Sequence, residues 1–125
     1  MIGYVTLGSN RLTEAKAFYD KLLATIGVGT LFEHGSGGRI YGRPGGPMFG
    51  VVGPYNGQPA TAGNGTMIGF PLDSREQVDR FHRTALELGG TDEGAPGPRG
   101  PAESKAYMAY FRDLDRNKLT AFHFG

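Results

Sequence analysis

The most constraining feature of this chain is that its two halves repeat. Phe18 and Phe81, Leu23 and Leu86, and Gly27 and Gly90 each stand 63 positions apart, and so do Val5 and Ile68, and Leu7 and Phe70. No gap is needed from Gly3/Thr66 to Val28/Thr91. Few of the paired residues are identical, but the pattern is shared: a short alternating strand, a polar turn, one helix, then a glycine stop. A duplicated unit of this size is half a small domain, so each copy must bury its apolar face against the other.

In the first copy the strand is "IGYVTLG" and the helix runs roughly from Leu12 to Ile26. Ala15, Phe18, Leu22 and Leu23 share one helical face, and Gly27 suits a helix C-terminus. In the second copy the strand runs roughly from Thr66 to Leu72. Ser74 and Gln77 have capping-box spacing, and Val78, Phe81, Ala85 and Leu86 form the stripe before Gly89-Gly90. Strand-like pieces follow each helix: "TLFEHG", "GRIYGRP" and "PMFGVVG" in the first half; a weak piece near Thr91, then "KAYMAYFRD" and "NKLTAFHFG", in the second. "DLDRN" has hairpin-turn composition. Each half reads as β-α-β-β-β. The expected fold class is α+β: two βαβββ modules in tandem, forming a curved mixed sheet around a cavity. It is one domain over 1–125, with module 1 at about 1–55, a Gly/Pro/Ala-rich linker at about 54–64 and module 2 at about 65–125. Glycine is abundant, 22 of 125 residues, and falls mostly between periodic segments, which indicates tight connections rather than disorder.

Strand alternation separates two faces. Val5, Leu7, Ile68, Phe70, Leu119 and Ala121 are expected under the helices. Tyr4, Thr6, Met67, Thr120 and Phe122 then line the other face, with small Gly69 leaving room. Pairing the final hairpin about its turn sets Tyr110 opposite Thr120 and Met108 opposite Phe122. The resulting wall of aromatics, thioethers and hydroxyls suits a mostly apolar ligand, neutral or anionic. Arg39, Tyr41 and Arg43 share a strand face, and Arg39 with Tyr41 is a candidate grip for a carboxylate or phosphate.

Thirteen Lys and Arg balance twelve Asp and Glu, so no bulk charge draws the chain to nucleic acid or an anionic membrane. There is no cysteine and hence no thiolate chemistry. No apolar run reaches the ~20 residues of a membrane span. The first residues lack the pattern of a signal peptide, and a cytoplasmic location is the default expectation. The three histidines, His34, His82 and His123, follow no zinc-like spacing. His34 reads as a solvated strand end, His82 as a surface residue and His123 as structural. Arg112, Asp113 and Asp115 read as turn charges, and "GAPGPRGPA" as a surface or pocket-rim loop.

The paired modules resemble the vicinal oxygen chelate superfamily, which includes glyoxalase I, extradiol dioxygenases and bleomycin- and fosfomycin-resistance proteins. The carriers are "EAKAFYDKLLATIG", "GNGTMIGF", "SREQVDRFHRTALELGGTDEGAPGPRG" and "YFRDLDRNKL", which look like bacterial glyoxalase/bleomycin-resistance-like, lactoylglutathione-lyase-like proteins. Metal-using members place His, Glu, His and Glu on the first and last strands of the two modules. Carried over, three of these positions fall on Tyr4, Met67 and Thr120, and the fourth lies near Phe49 to Val52, where no His, Asp or Glu occurs. A phenol, a thioether and a hydroxyl are poor donors for zinc or nickel. No cofactor is therefore expected, and no divalent metal at the usual site. The resemblance implies a small-molecule pocket and a homodimer. It implies either a metal-independent or diverged lyase/isomerase-type enzyme, with Tyr4 and Tyr110 as candidate catalytic hydroxyls, or a non-catalytic protein that sequesters a small molecule. Thr6, Arg39, Tyr41, Met67, Met108, Thr120 and Phe122 are the expected ligand contacts.

Overall fold

The computed structural model describes residues 1–125. The chain runs β1 (Tyr4–Gly8), α1 (Leu12–Ala24), β2 (Gly29–Glu33), β3 (Arg39–Gly42), β4 (Met48–Val52), β5 (Ile68–Pro71), α2 (Arg75–Glu87), β6 (Thr91–Pro98), β7 (Ala106–Arg112) and β8 (Lys118–Phe124), with a short 3-10 turn at Ala102–Ser104. This is the tandem βαβββ order. The strands divide into two four-stranded sheets, β1-β4-β3-β2 and β5-β8-β7-β6, not closed into a barrel. Each is mixed: β1 pairs parallel with β4, and β5 with β8, while the remaining pairs are antiparallel.

Local signals account for the start of α2 and for the C-terminal ends of both helices. Ser74 Oγ accepts the Gln77 N–H at 3.1 Å, and Gln77 Oε1 reaches back to the Asp73 N–H at 2.8 Å. The first bond satisfies a donor that the helix itself leaves open, and the second ties down the chain entering it. Gly27 lies beyond α1 at φ 72 and Gly89 beyond α2 at φ 103, a left-handed conformation that glycine adopts without a Cβ penalty.

The helix-facing sides of both sheets feed one core. Leu7, Phe18, Tyr19, Phe49 and Val51 of the first module join Val78, Phe81, Phe111, Leu119 and Ala121 of the second in a single buried cluster. An aromatic chain crosses the module boundary: Tyr19 to Phe49 at 5.0 Å, Phe49 to Phe70 at 5.4 Å and Phe70 to Phe81 at 5.5 Å between ring centroids.

Three readings change. Asp113 and Asp115 are more than turn charges. Asp113 is 4% exposed and takes the Tyr19 phenol at 2.6 Å, while Asp115 takes the Ser9 hydroxyl at 2.5 Å and the Asn10 N–H at 2.9 Å. The β7–β8 turn thus locks onto the first module. His82 is buried rather than on the surface, its Nε2 lying 3.0 Å from Asp92 Oδ1. The weak piece near Thr91 extends to Pro98 and takes in the first part of "GAPGPRGPA". It is an edge strand with two register shifts, the setting in which a sheet tolerates proline.

Candidate functional site

The faces turned away from the core carry the expected residues. The register places Tyr110 opposite Thr120 and Met108 opposite Phe122. A hollow of about 1000 Å³ opens beside β1, lined by Tyr4 and Thr6, by His34 and Ser36 of the β2–β3 turn, and by the linker from Pro54 to Thr61. The linker is therefore a wall as well as a connection. It is tied at Ala60, whose N–H and carbonyl meet the Asn10 side-chain amide at 2.7 and 3.0 Å. Gly8 permits this approach, since a Cβ there would lie 2.9 Å from the Ala60 Cβ.

The hollow takes no side chain from the second module. Met67, Met108, Tyr110 and Phe122 belong to the outward side of the other sheet, so a single chain does not gather Tyr4 and Tyr110 into one site. On that second face the Tyr110 hydroxyl donates to Met108 Sδ at 3.3 Å. Arg99 and Lys118 stand over the Tyr110 ring at 5.6 and 5.5 Å from its centroid, a favourable arrangement of cation and ring. Neither cation joins the candidate list from sequence alone. Arg99 sits in an irregular Gly/Pro segment, and Lys118 comes into range only through the hairpin register.

Two expected ligand contacts are placed differently, and a third is closed off by burial. Arg39 and Tyr41 face the helix side. The Arg39 guanidinium holds Glu33 at 2.7 Å and Asp20 at 2.6 Å. The Tyr41 hydroxyl donates to Asp20 at 2.7 Å, and burial followed by that hydrogen bond raises its pKa. The alternation that sets the two side by side is correct, but their face is the one covered by α1. Thr120 is on the expected face but is 2% exposed, and its hydroxyl donates to the Ala109 carbonyl at 2.9 Å. It has no free donor to offer. Tyr4, by contrast, is 48% exposed and Met67 43% exposed.

The fourth position of the superfamily's metal set is now located. The Thr6–Gly50 pair of β1–β4 corresponds to the Gly69–Thr120 pair of β5–β8, so Gly50 is the counterpart of Thr120. Phenol, glycine, thioether and a backbone-bound hydroxyl occupy the four positions, and no group of three or more His, Cys, Asp or Glu side chains converges anywhere in the chain. These residues do not fit a divalent cation at that place.

No protein-family model matches the chain, and no curated protein sequence does. Solved structures match along almost its whole length. A glyoxalase/bleomycin resistance protein from Albidiferax ferrireducens T118 is 46% identical, with 98% of each chain covered and a TM-score of 0.89. A glyoxalase/bleomycin resistance protein/dioxygenase family enzyme from Burkholderia phytofirmans PsJN is 20% identical, with 98% of each chain covered and a TM-score of 0.77. A lactoylglutathione lyase from Agrobacterium tumefaciens is 21% identical over 98% of this chain and 92% of its own, with a TM-score of 0.71. The last two share the fold; the identity of the first carries kinship, and the chain belongs to the vicinal oxygen chelate superfamily of glyoxalase, bleomycin resistance and dioxygenase proteins.

Proposed function

We propose that this chain takes a small organic molecule into the hollow beside β1 and acts on it as a diverged, metal-independent lyase or isomerase. The observation that supports this reading is the pairing of a hollow of about 1000 Å³ with a donor set that cannot serve a divalent cation. Tyr4, His34 and Tyr55 are the hollow's groups able to hold or move a proton, and Tyr55 stands fully exposed at the linker. Tyr4 is bound by no other residue's side chain or backbone through its hydroxyl, so a ligand can take it. Tyr110 and Met108 form a second surface. They reach the same ligand only if two copies of the chain associate, and the exposed Tyr4, Phe32, Met67 and Phe124 support such a homodimer.

A second reading is sequestration without turnover. The observation favouring it is that the lining holds no Lys, Arg, Asp or Glu, so acid/base work would rest on weakly acidic or neutral groups. One experiment separates the two. A panel of small carbonyl compounds is screened for thermal stabilisation, and each stabilising compound is then followed by mass spectrometry in the presence of a chelator. Consumption that survives chelation and falls sharply in Tyr4→Phe supports the enzyme. Stabilisation with no consumption supports sequestration, and consumption abolished by the chelator removes the metal-independent reading.

A further inference from the structure

The turn between β2 and β3 fixes which nitrogen of His34 carries the proton. The Ser36 backbone N–H points at His34 Nδ1 at 3.2 Å, and Ser36 Oγ lies 2.8 Å from the same nitrogen. Ser36 Oγ in turn accepts the backbone N–H groups of Gly53 at 2.9 Å and Gly38 at 3.4 Å. Both hydroxyl lone pairs are thus used, which leaves the hydroxyl hydrogen to point at Nδ1. A backbone N–H has no other role than donor, so Nδ1 must present its lone pair. The neutral imidazole then carries its hydrogen on Nε2, an assignment that rests on counting donors and acceptors.

His34 Nε2 meets no partner within the chain. Every buried side-chain nitrogen and oxygen of the chain has a partner, so Nε2 is not sealed in, and the ring lines the hollow. Tyr4 and Thr6 line the same hollow with hydroxyls that have no internal partner. With the Tyr55 phenol and the Asn56 and Gln58 amides, the lining holds several polar donors and no Lys, Arg, Asp or Glu. A carboxylate or phosphate entering here would give up water with no cation to replace it, which is costly. An uncharged carbonyl oxygen loses less and gains a directed N–H.

We propose that His34 Nε2–H is the hydrogen-bond donor that orients the oxygen of an uncharged carbonyl compound in this hollow, with Ser36 as the positioning residue that holds the ring in the donating tautomer. This deepens the functional reading above and depends on the hollow being a ligand site.

The test uses the full chain with ¹⁵N-labelled histidine, at a pH above the ordinary histidine range. Two-bond ¹H–¹⁵N correlations report the tautomer. Acetophenone, benzoate and ethylbenzene are then titrated as an uncharged carbonyl, an anion and an apolar control. The expected result is an Nε2–H tautomer at His34, a shift of that resonance with acetophenone, and acetophenone binding about three- to tenfold tighter than ethylbenzene, the factor one neutral hydrogen bond supplies. In His34→Phe that preference is lost, and in His34→Gln, which keeps an N–H donor, part of it returns. Ser36→Ala removes the hydroxyl donor but keeps the backbone N–H on Nδ1, so the Nε2–H tautomer is expected to persist with a looser ring and a smaller acetophenone preference. An Nδ1–H ring in the unaltered chain overturns the proposal, as does benzoate binding tightest. Equal binding of acetophenone and ethylbenzene at the hollow overturns it while leaving the hollow as a ligand site. Absence of binding by all three counts against both.

Discussion

Gly50 lies beside Thr6 in the parallel β1–β4 pair, and a Cβ on Gly50 would stand 3.3 Å from Thr6 Cγ2 and 2.5 Å from Ile40 Cδ1. The second module inverts the arrangement: Gly69 lies beside Thr120, and a Cβ there would stand 3.1 Å from Thr120 Cγ2 and 3.0 Å from the Phe122 ring. At each module one threonine fills the space that its glycine partner vacates. Gly50→Ala must push against Ile40, which is fully buried, and is expected to cost about 1–3 kcal/mol as an overpacked site. Gly69→Ala meets the partly exposed Phe122, which can swing aside, and is expected to cost less. Denaturant unfolding of the two variants gives the order; an equal or reversed order removes this account of the two glycines.

The Tyr19–Asp113 hydrogen bond ties α1 to the β7–β8 turn. Tyr19→Phe removes the phenol donor while Asn117 and the backbone still serve the carboxyl, so a loss of about 1–2 kcal/mol is expected. The pH dependence has a definite sign. Burial raises the Asp113 carboxyl above its ordinary value, against the opposing hydrogen bonds from Tyr19 and Asn117. Between the unfolded and folded pKa values the native state holds more protons. The contribution is complete below the unfolded value and is lost as pH rises through the folded one. The stability gap between the native sequence and Asp113→Asn should therefore narrow as pH rises through that window. Unfolding curves across the carboxylate range check this, and a widening gap contradicts the burial argument.

The parts of this molecule legible in the sequence are those set by period and spacing. The 63-residue offset locates both modules because helix and strand patterns repeat together, and the Asp113–Asn117 turn fixes the β7–β8 register to the residue. Face assignments hold wherever a strand contains a clear apolar set, as with Val5/Leu7 or Leu119/Ala121. They fail at β3, where Arg39 and Tyr41 read as polar although their polar ends meet Asp20 from the covering helix. Asp20 and Tyr41 are distant in sequence, and no local pattern announces their pairing. The same limit hides the hollow. Its walls come from β1, a β-turn and the linker, and only the folded chain brings His34 and Ser36 beside Tyr4. The linker's Gly and Pro content signals a connection and carries no signal for a wall.

Because Arg39 and Tyr41 are engaged on the helix side, they separate stability from binding. Tyr41→Phe leaves Asp20 without its phenol donor and is expected to lower stability by about 1 kcal/mol. It should leave the affinity for any compound held in the hollow unchanged. Tyr4→Phe should do the reverse: little change in unfolding, since Tyr4 is half exposed, and weaker binding of hydrogen-bonding ligands by up to about tenfold. Calorimetric titration of acetophenone against both variants is the check. Weakened binding in Tyr41→Phe would return the β3 residues to the site.

Association of two copies would cover the outward face of the second sheet, where Met67 and Phe124 are exposed, Phe124 with the Phe122 ring edge-on at 5.7 Å. A homodimer that buries these side chains removes apolar surface from water, worth about 25 cal/mol per Å² before the cost of association is met. Met67→Glu places a charge on that face without touching the core, since Met67 precedes β5 and contributes nothing to the buried cluster. Sedimentation equilibrium is expected to give a dimer for the native sequence and a dissociation constant raised at least about tenfold for Met67→Glu. The folded monomer should persist, because the inter-module core and the Asp113–Tyr19 tie lie within one chain. A monomeric native protein at high concentration would confine ligand binding to the hollow beside β1. It would leave Tyr110, Met108 and Phe122 with no part in that binding.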